Sequence, residues 1–189
     1  MRKLPERYEN PIDNILINIC EYISPFHKQI NMTPNILTTI SLILGIMSAI
    51  FIYYDYYKTA AILYFLSYFY DCMDGFYARK YNMTTQFGDY YDHASDFFKN
   101  IILAAVIYYK SPTKFKTILL ILTIPFILQT IHIGCQEIYS PFEDESKSLA
   151  IFKKICPSKN SDILLFTRFF GTGTANMIIV YLLYTFESI

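Results

Sequence analysis

Between Asp71 and Asp96 the chain carries five aspartates in 26 residues: Asp71, Asp74, Asp89, Asp92 and Asp96. The sequence on both sides is apolar and rich in aromatics. A carboxylate inside a bilayer costs about 2.5–3.5 kcal/mol on insertion scales, so a cluster of them needs a use other than packing. A helix turns about 100° per residue, which puts Asp71 and Asp74 about 60° apart on one face and Asp92 and Asp96 about 40° apart on another. The intervening YNMTTQ is short enough to make the two helices antiparallel neighbours. Both pairs then face one cavity. Four carboxylates repel strongly in a low dielectric, and a divalent cation is the natural compensation. All-oxygen ligands favour Mg2+, Mn2+ or Ca2+ over zinc or copper. One or two such ions suit phosphoryl transfer. From residue chemistry alone, a proton or ion pathway through a transporter is the competing use of the same four side chains.

Neighbouring residues sharpen the picture. Gly75 and Ala78 share the face of Asp71, and Gly88 shares the face of Asp92. Small residues there leave room for a ligand or let helices approach closely. Arg79, at the helix end, is the group that suits a diphosphate. Asp89 lies near the Asp96 face, but it sits at a helix start, where a carboxylate complements the dipole, and it reads as structural. Lys99 follows Asp96 by three residues and is placed to pair with a carboxylate. Arg168 either binds an anionic acceptor or snorkels to the headgroups. His27 and His132 read as packed or interfacial.

The elements that must position these groups read as membrane helices. Of the 189 residues, 53% are hydrophobic and 17% charged, and the mean hydropathy is +0.28. An ordinary soluble domain carries more charge. The net charge of zero gives no bulk field for nucleic acid, and no nucleic-acid partner is expected. Apolar runs of spanning length start at Ile36–Tyr54, after a Thr33 cap and Pro34 in the first turn. They continue at Thr59–Tyr70 into the acidic stretch, at Phe87–Tyr109, at Thr117–Ile133 and at Ile163–Phe186, with KSPTKFK read as a turn. Pro11–Ile23 is too short and polar to span, and its periodicity predicts an amphipathic helix on the membrane surface. SLAIFKKI predicts a short interfacial helix. The expected fold is an all-α polytopic membrane helical bundle of five to six transmembrane helices, with residues 1–33 as a juxtamembrane segment and 34–189 as the membrane domain.

With the N-terminus inside, Arg2, Lys3, Arg7, Lys28, Arg79, Lys80, Lys147, Lys153, Lys154 and Lys159 fall on the cytoplasmic side. Lys58, Lys110, Lys114 and Lys116 fall opposite. This bias orients the acidic stretch toward the cytoplasm. Cys20, Cys72, Cys135 and Cys156 have no paired spacing and read as small apolar residues rather than a disulfide framework. The basic N-terminus has no apolar run after it and does not read as a cleavable signal.

The pattern Asp71-x-x-Asp74-Gly75-x-x-Ala78-Arg79, eight residues, then Gly88-x-x-x-Asp92-x-x-x-Asp96 resembles the signature of the CDP-alcohol phosphotransferase family, with all eight positions present. Pro34-Asn35-x-x-Thr38 is a weaker echo of a stretch that lines the family's nucleotide site. The resemblance covers residues 34–100 well and the C-terminal half in hydropathy only. It implies an enzyme that moves a phosphoalcohol or phosphatidyl group from a CDP-linked donor to a hydroxyl acceptor, a lipid or a small alcohol, and releases CMP. Asp71, Asp74, Asp92 and Asp96 would ligate one or two Mg2+ or Mn2+ ions. Asn35, Thr38, Gly75, Ala78, Arg79 and Gly88 would bind the CDP moiety. Asp96 is the family's usual general base, and Arg168 is a candidate ligand for an acceptor phosphate. Six membrane helices, a homodimer in membrane lipids and a cytoplasm-facing site also follow from the resemblance. His93, directly after the third signature aspartate, is similar to the branch that uses CDP-choline or CDP-ethanolamine with diacylglycerol, where it is a candidate base. The chain is short for that branch, which usually has more helices, and the donor stays open between it and the branch that uses CDP-diacylglycerol and a soluble alcohol. A catalytically inactive homologue or a divalent-cation carrier is the alternative, and CMP binding separates them.

Overall fold

Helix boundaries follow from caps that can be named. The computed structural model describes residues 2–140, 146–158 and 161–189. Among these the regular structure is entirely helical: α1 (Pro11–Gln29), α2 (Pro34–Tyr53), α3 (Tyr57–Lys80), α4 (Gln86–Lys110), α5 (Pro112–Tyr139), α6 (Asp162–Thr167) and α7 (Thr172–Tyr184). Thr33 caps α2 by accepting from Ile36 N, with Pro34 in the first turn as expected. Thr85 caps α4 by accepting from Gly88 N. Helices α1, α2 and α3 end alike. Asn31, Asp55 and Asn82 adopt positive φ of 54°, 67° and 54°, a left-handed conformation that Asn and Asp tolerate. The next amide then bonds back across the last turn: Met32 N to His27 O, Tyr56 N to Phe51 O and Met83 N to Ala78 O. These are Schellman closures, which satisfy carbonyls the helix would otherwise orphan.

Helices α2, α5 and the 162–184 stretch are long and apolar enough to cross a membrane. Helices α3 and α4, of 24 and 25 residues, are also long enough at about 1.5 Å per residue. They fall short in apolarity because they carry the aspartates. On α5, Leu119, Leu120, Ile121, Ile124 and Ile127 are all exposed, as expected of a helix whose outer surface meets lipid. The chain is thus an all-α membrane bundle.

Several boundaries differ from expectation. KSPTKFK is not a turn: Ser111 alone breaks the chain, caps α5 through Lys114 N, and Pro112 opens the helix. Helix α1 runs on to Gln29, past Ile23. The last apolar run is broken by a 3-10 turn at Arg168–Phe170 before Gly171. SLAIFKKI forms a 3-10 helix, Ala150–Ile155. Whether SPFEDESKS conceals a further span lies outside the described residues, because it includes 141–145. The cysteine reading is corrected outright: Cys135 and Cys156 form a disulfide, with Cα atoms 4.9 Å apart. Irregular spacing hid it, since α5 and the segment folding back over it bring together residues 21 apart. Gly134 makes the approach possible, because a Cβ there would strike Phe152 O.

Helix α2 packs against α3 and α4, and α3 also against α1 and α7. At the end away from the aspartates, Ile52, Tyr64, Leu103, Ile107, Leu122, Leu183 and Phe186 join five helices in one apolar core. Near the aspartates, Ile17 and Cys20 of α1 pack with Leu37, Met73, Phe76 and Tyr77. Asn10 is fully buried. It caps α1 through Ile12 N and donates to Arg168 O at 2.6 Å and Thr174 Oγ1 at 2.9 Å. Asp13 accepts from Tyr68 Oη and, at 3.2 Å, from Gly173 N. The surface helix is therefore fastened to α3 and α7. Gly173 is required there, since its Cβ would lie 2.5 Å from both Asn10 Oδ1 and Asp13 Oδ1.

Burial raises the Asp13 carboxyl to about 7, with the Tyr68 hydroxyl pulling the other way and the nearby Glu9 and Asp71 charges adding to the rise. Glu9 is raised by burial as well. In the unfolded chain Asp ionises near about 4. Between the two values the folded state binds more protons, so stability falls as pH rises. The wild-type melting temperature should decline from about pH 4 to about pH 7, and Asp13→Asn should show a shallower decline. Identical pH profiles for the two chains would contradict this.

Candidate active site and metal centre

The two acidic helices meet as the spacing predicts. Asp71, Asp92 and Asp96 each offer an oxygen, and these atoms all lie within 4.8 Å of one another. Asp74 stands slightly apart: its Oδ2 accepts from Thr38 Oγ1 at 2.5 Å, and the residue is 3% exposed. Because α3 ends at Lys80 and α4 starts at Gln86, Asp71 and Asp96 lie about one helical turn farther from the connection between the two helices than Asp74 and Asp92.

A cavity of about 620 Å³ opens above the cluster. Asn35, Thr38, Gly75, Ala78, Arg79 and Gly88 all line it, together with Asp74, Asp92 and His93. Gly75 lets the Arg79 guanidinium fold close, since a Cβ would lie 3.3 Å from Nη1. Gly88 does the same for the cap: a Cβ there would meet Thr85 Oγ1 at 3.0 Å and Asn35 Oδ1 at 3.4 Å. His93 Nδ1 lies 2.8 Å from Asp89 O and 2.9 Å from Ser148 Oγ. With Nδ1 so engaged, Nε2 is the nitrogen left for a ligand.

Asp89, expected to be structural from its position at the helix start, lines the same cavity. It accepts from Ser146 Oγ at 2.5 Å and Ser148 N at 3.1 Å, and so ties the 146–149 segment over the cavity. His27 and His132 are buried, and His132 Nδ1 lies 3.1 Å from Thr167 Oγ1. Arg168 is not brought to the aspartates. It lines a separate hollow with Arg7, Asn14 and Asn18, and its Nη1 donates to Arg7 O at 2.6 Å.

Sequence reasoning missed Lys3, Ser146, Lys147 and Leu149, which complete the cavity wall. Lys3 pairs with the buried Glu137, whose other oxygen accepts from Ser146 N at 3.0 Å. No local pattern announces contacts across 134 residues. Lys99 pairs as expected, with Asp96 and with Asp71.

The residues fit a divalent cation. The donors are all carboxylate oxygens, which suits Mg2+ or Mn2+. Asp92 Oδ1 is buried with no hydrogen-bond partner among the described residues. A buried, unpartnered carboxylate oxygen is costly unless a cation meets it.

Residues 31–146 match the family model described as CDP-alcohol phosphatidyltransferase. No curated protein matches the chain. The geometry separates two neighbouring aspartates: Asp92→Asn should abolish Mn2+ binding, and Asp89→Asn should retain it. Equal loss in both variants would show that the cluster is not the ion site.

Proposed function

The chain belongs to the CDP-alcohol phosphatidyltransferase family, a family of membrane phospholipid-synthesis transferases, and we propose that its cavity binds a CDP-linked donor and passes the phosphoalcohol or phosphatidyl group to a hydroxyl acceptor. The observation that carries this reading is one cavity lined by Asn35, Thr38, Gly75, Ala78, Arg79 and Gly88, directly above three converging carboxylates. A cation carrier has no need of a guanidinium and three small residues around its carboxylates.

Asp71, Asp74, Asp92 and Asp96 would hold one or two Mg2+ or Mn2+ ions. A metal held there would supply positive charge to neutralise the diphosphate and stabilise CMP as leaving group. Arg79 meets the diphosphate oxygens with a planar, permanently charged donor set. Thr38 orients Asp74 by donating to it. In the transfer, the acceptor oxygen bonds to the phosphorus of the transferred group, and the bond from that phosphorus to the CMP oxygen breaks. The acceptor proton passes to a nearby base, Asp96 or His93. With diacylglycerol as acceptor, His93 on the cavity wall is the better placed. Arg168, in its separate hollow, serves a bound acceptor phosphate only if the acceptor extends toward α1.

We further propose a multi-pass chain, with 1–33 as the juxtamembrane segment and 34–189 as the membrane domain, paired as a homodimer. The lysine and arginine bias supports a cavity open to the cytoplasm. The cytoplasm keeps thiols reduced, whereas Cys135 is joined to Cys156 two residues before Glu137, whose partner Ser146 lines the cavity. Alkylation at the moment of lysis tests the orientation. Free Cys135 and Cys156 thiols in cells accord with a cytoplasmic cavity, and an oxidised pair places it on the opposite side.

The donor is decided by following CMP release from purified chain with Mg2+. One mixture offers CDP-diacylglycerol with soluble alcohols; the other offers CDP-choline and CDP-ethanolamine with diacylglycerol. Release in either supports the transferase reading, and release in the second assigns His93 its role. Asp92→Asn should lower the active mixture's rate by about a hundredfold or more. No release in either mixture would overturn the reading.

A further inference from the structure

The start of α1 borders a second hollow, separate from the cavity over the aspartates. Arg7, Asn14, Ile15, Asn18 and Arg168 line it, with Glu6 as a carboxylate in its wall. Arg168 is fixed in place there. Its Nη1 donates to Arg7 O at 2.6 Å, its own carbonyl accepts from Asn10 Nδ2, and its guanidinium lies 4.9 Å from the centre of the Phe169 ring. A guanidinium carries five N–H donors, and Arg168 Nε has no hydrogen-bond partner among the described residues. The group is held by the protein without being spent on it. Arg2 donates to Asn14 Oδ1 and, at 2.7 Å, to Asn18 Oδ1. A third guanidinium therefore stands beside the hollow, and the Asn18 amide nitrogen is left as a further donor. Arg2, Arg7 and Arg168 outweigh the one carboxylate of Glu6, and planar guanidinium forks match the oxygens of a phosphate.

Helix α1 shows where in the membrane this hollow lies. At about 100° per residue, its side chains fall on three sides. Asp13, Leu16, Ile17 and Cys20 are buried against the bundle. Ile15, Ile19, Tyr22, Phe26 and Ile30 are exposed and lie within about 80° of one another, a continuous apolar stripe. Asn14, Asn18, Glu21 and Lys28 take the remaining side. An amphipathic helix with such a stripe lies in the interface with its apolar face toward the acyl chains and its polar face toward water. The hollow takes Ile15 from the apolar side and Asn14 and Asn18 from the polar side, so it sits at the boundary between them, where headgroups lie.

We propose that this hollow binds the phosphate of an anionic phospholipid, whose acyl chains lie along the Ile15, Ile19 and Phe26 stripe. A free phosphate would use the guanidiniums and leave that adjoining stripe without a role. The lipid is a bound ligand and not a reactant, because Arg168 is not brought to the aspartates. Arg7 precedes α1 and Arg168 precedes α7, so one phosphate bonded to both fastens the surface helix to the bundle and raises the stability of the whole chain. This site is independent of the reading of the aspartates as a metal and nucleotide centre.

The test is a titration of phosphatidylglycerol into the full chain in nonionic detergent, read as lipid retained in native mass spectrometry and as melting temperature. Wild type should retain phosphatidylglycerol and melt higher with it, and should hold zwitterionic phosphatidylcholine about tenfold more weakly. Arg7→Gln keeps the backbone carbonyl that holds Arg168 and should weaken phosphatidylglycerol retention about fivefold; adding Arg168→Gln should bring the loss to about thirtyfold. Equal retention of the two lipids by wild type would overturn the proposal even if the double variant does not fold, and so would unchanged phosphatidylglycerol retention in Arg7→Gln. Glycerol 3-phosphate that raised the melting temperature as much as phosphatidylglycerol would assign the hollow to a soluble anion and overturn the lipid as its occupant.

Discussion

Repulsion among four inward-facing carboxylates is the constraint around which this end of the bundle is built. Each helix that meets the cluster brings one answer to it. Helix α2 supplies the Thr38 hydroxyl for Asp74 and the Ser41 hydroxyl for Lys99. Helix α4 supplies Lys99 itself, three residues after Asp96. What these leave without a hydrogen-bond partner among the described residues includes Asp92 Oδ1 and Asp96 Oδ1, and Asp92 lines the open cavity. Asp74 and Asp92 line the cavity, while Asp71 and Asp96 pair with Lys99. A membrane protein has reason to arrange it so, because the cavity is where ions and substrate exchange with water.

Packing keeps that arrangement in place. The apolar core at the opposite end joins α2, α3, α4, α5 and α7, which sets the helices' spacing far from the charge. At the charged end the contacts are polar and individually specific. Asn10 and Asp13 fasten the surface helix to α3 and α7 through Tyr68, Gly173 and Arg168 O. Lys3, Glu137, Ser146 and Asp89 carry one chain of contacts around the cavity rim. The rim is thus made from the first residues, the end of α5 and the segment after it, none of which belongs to the acidic motif.

What could be read from sequence follows from how local each feature is. The aspartates, Gly75, Ala78, Arg79 and Gly88 were legible because helical spacing alone puts them on facing surfaces. Thr33 was legible as a cap because its partner lies three residues on; Thr85 does the same for α4 but was not read so. Arrangements that depend on distant segments were not legible. Lys3 finds Glu137, and Cys135 finds Cys156, only after α5 and the following segment fold back. The break at Arg168–Phe170 lies inside a run whose hydropathy reads as one helix; the Arg168 carbonyl there accepts both from Gly171 N within the 3-10 turn and from the distant Asn10. That break also carries Arg168 toward Arg7 rather than toward the aspartates, which spacing could not reveal. Ser41, Ser67 and Gly45 carried a signal of their own, small and polar residues in apolar helices, whose meaning depends on Lys99: Ser41 accepts from its ammonium, Ser67 backs Ser41, and Gly45 leaves room for its stem.

The central claim is that the cavity and the carboxylates form one site for a cytidine diphosphate group and its metal. Calorimetric titration of CMP into the purified chain, with and without Mg2+, tests it most directly. Saturable CMP binding that requires Mg2+, and that disappears in Arg79→Ala, is the result predicted. CMP binding of equal strength with and without Mg2+, or no binding under either condition, would contradict it.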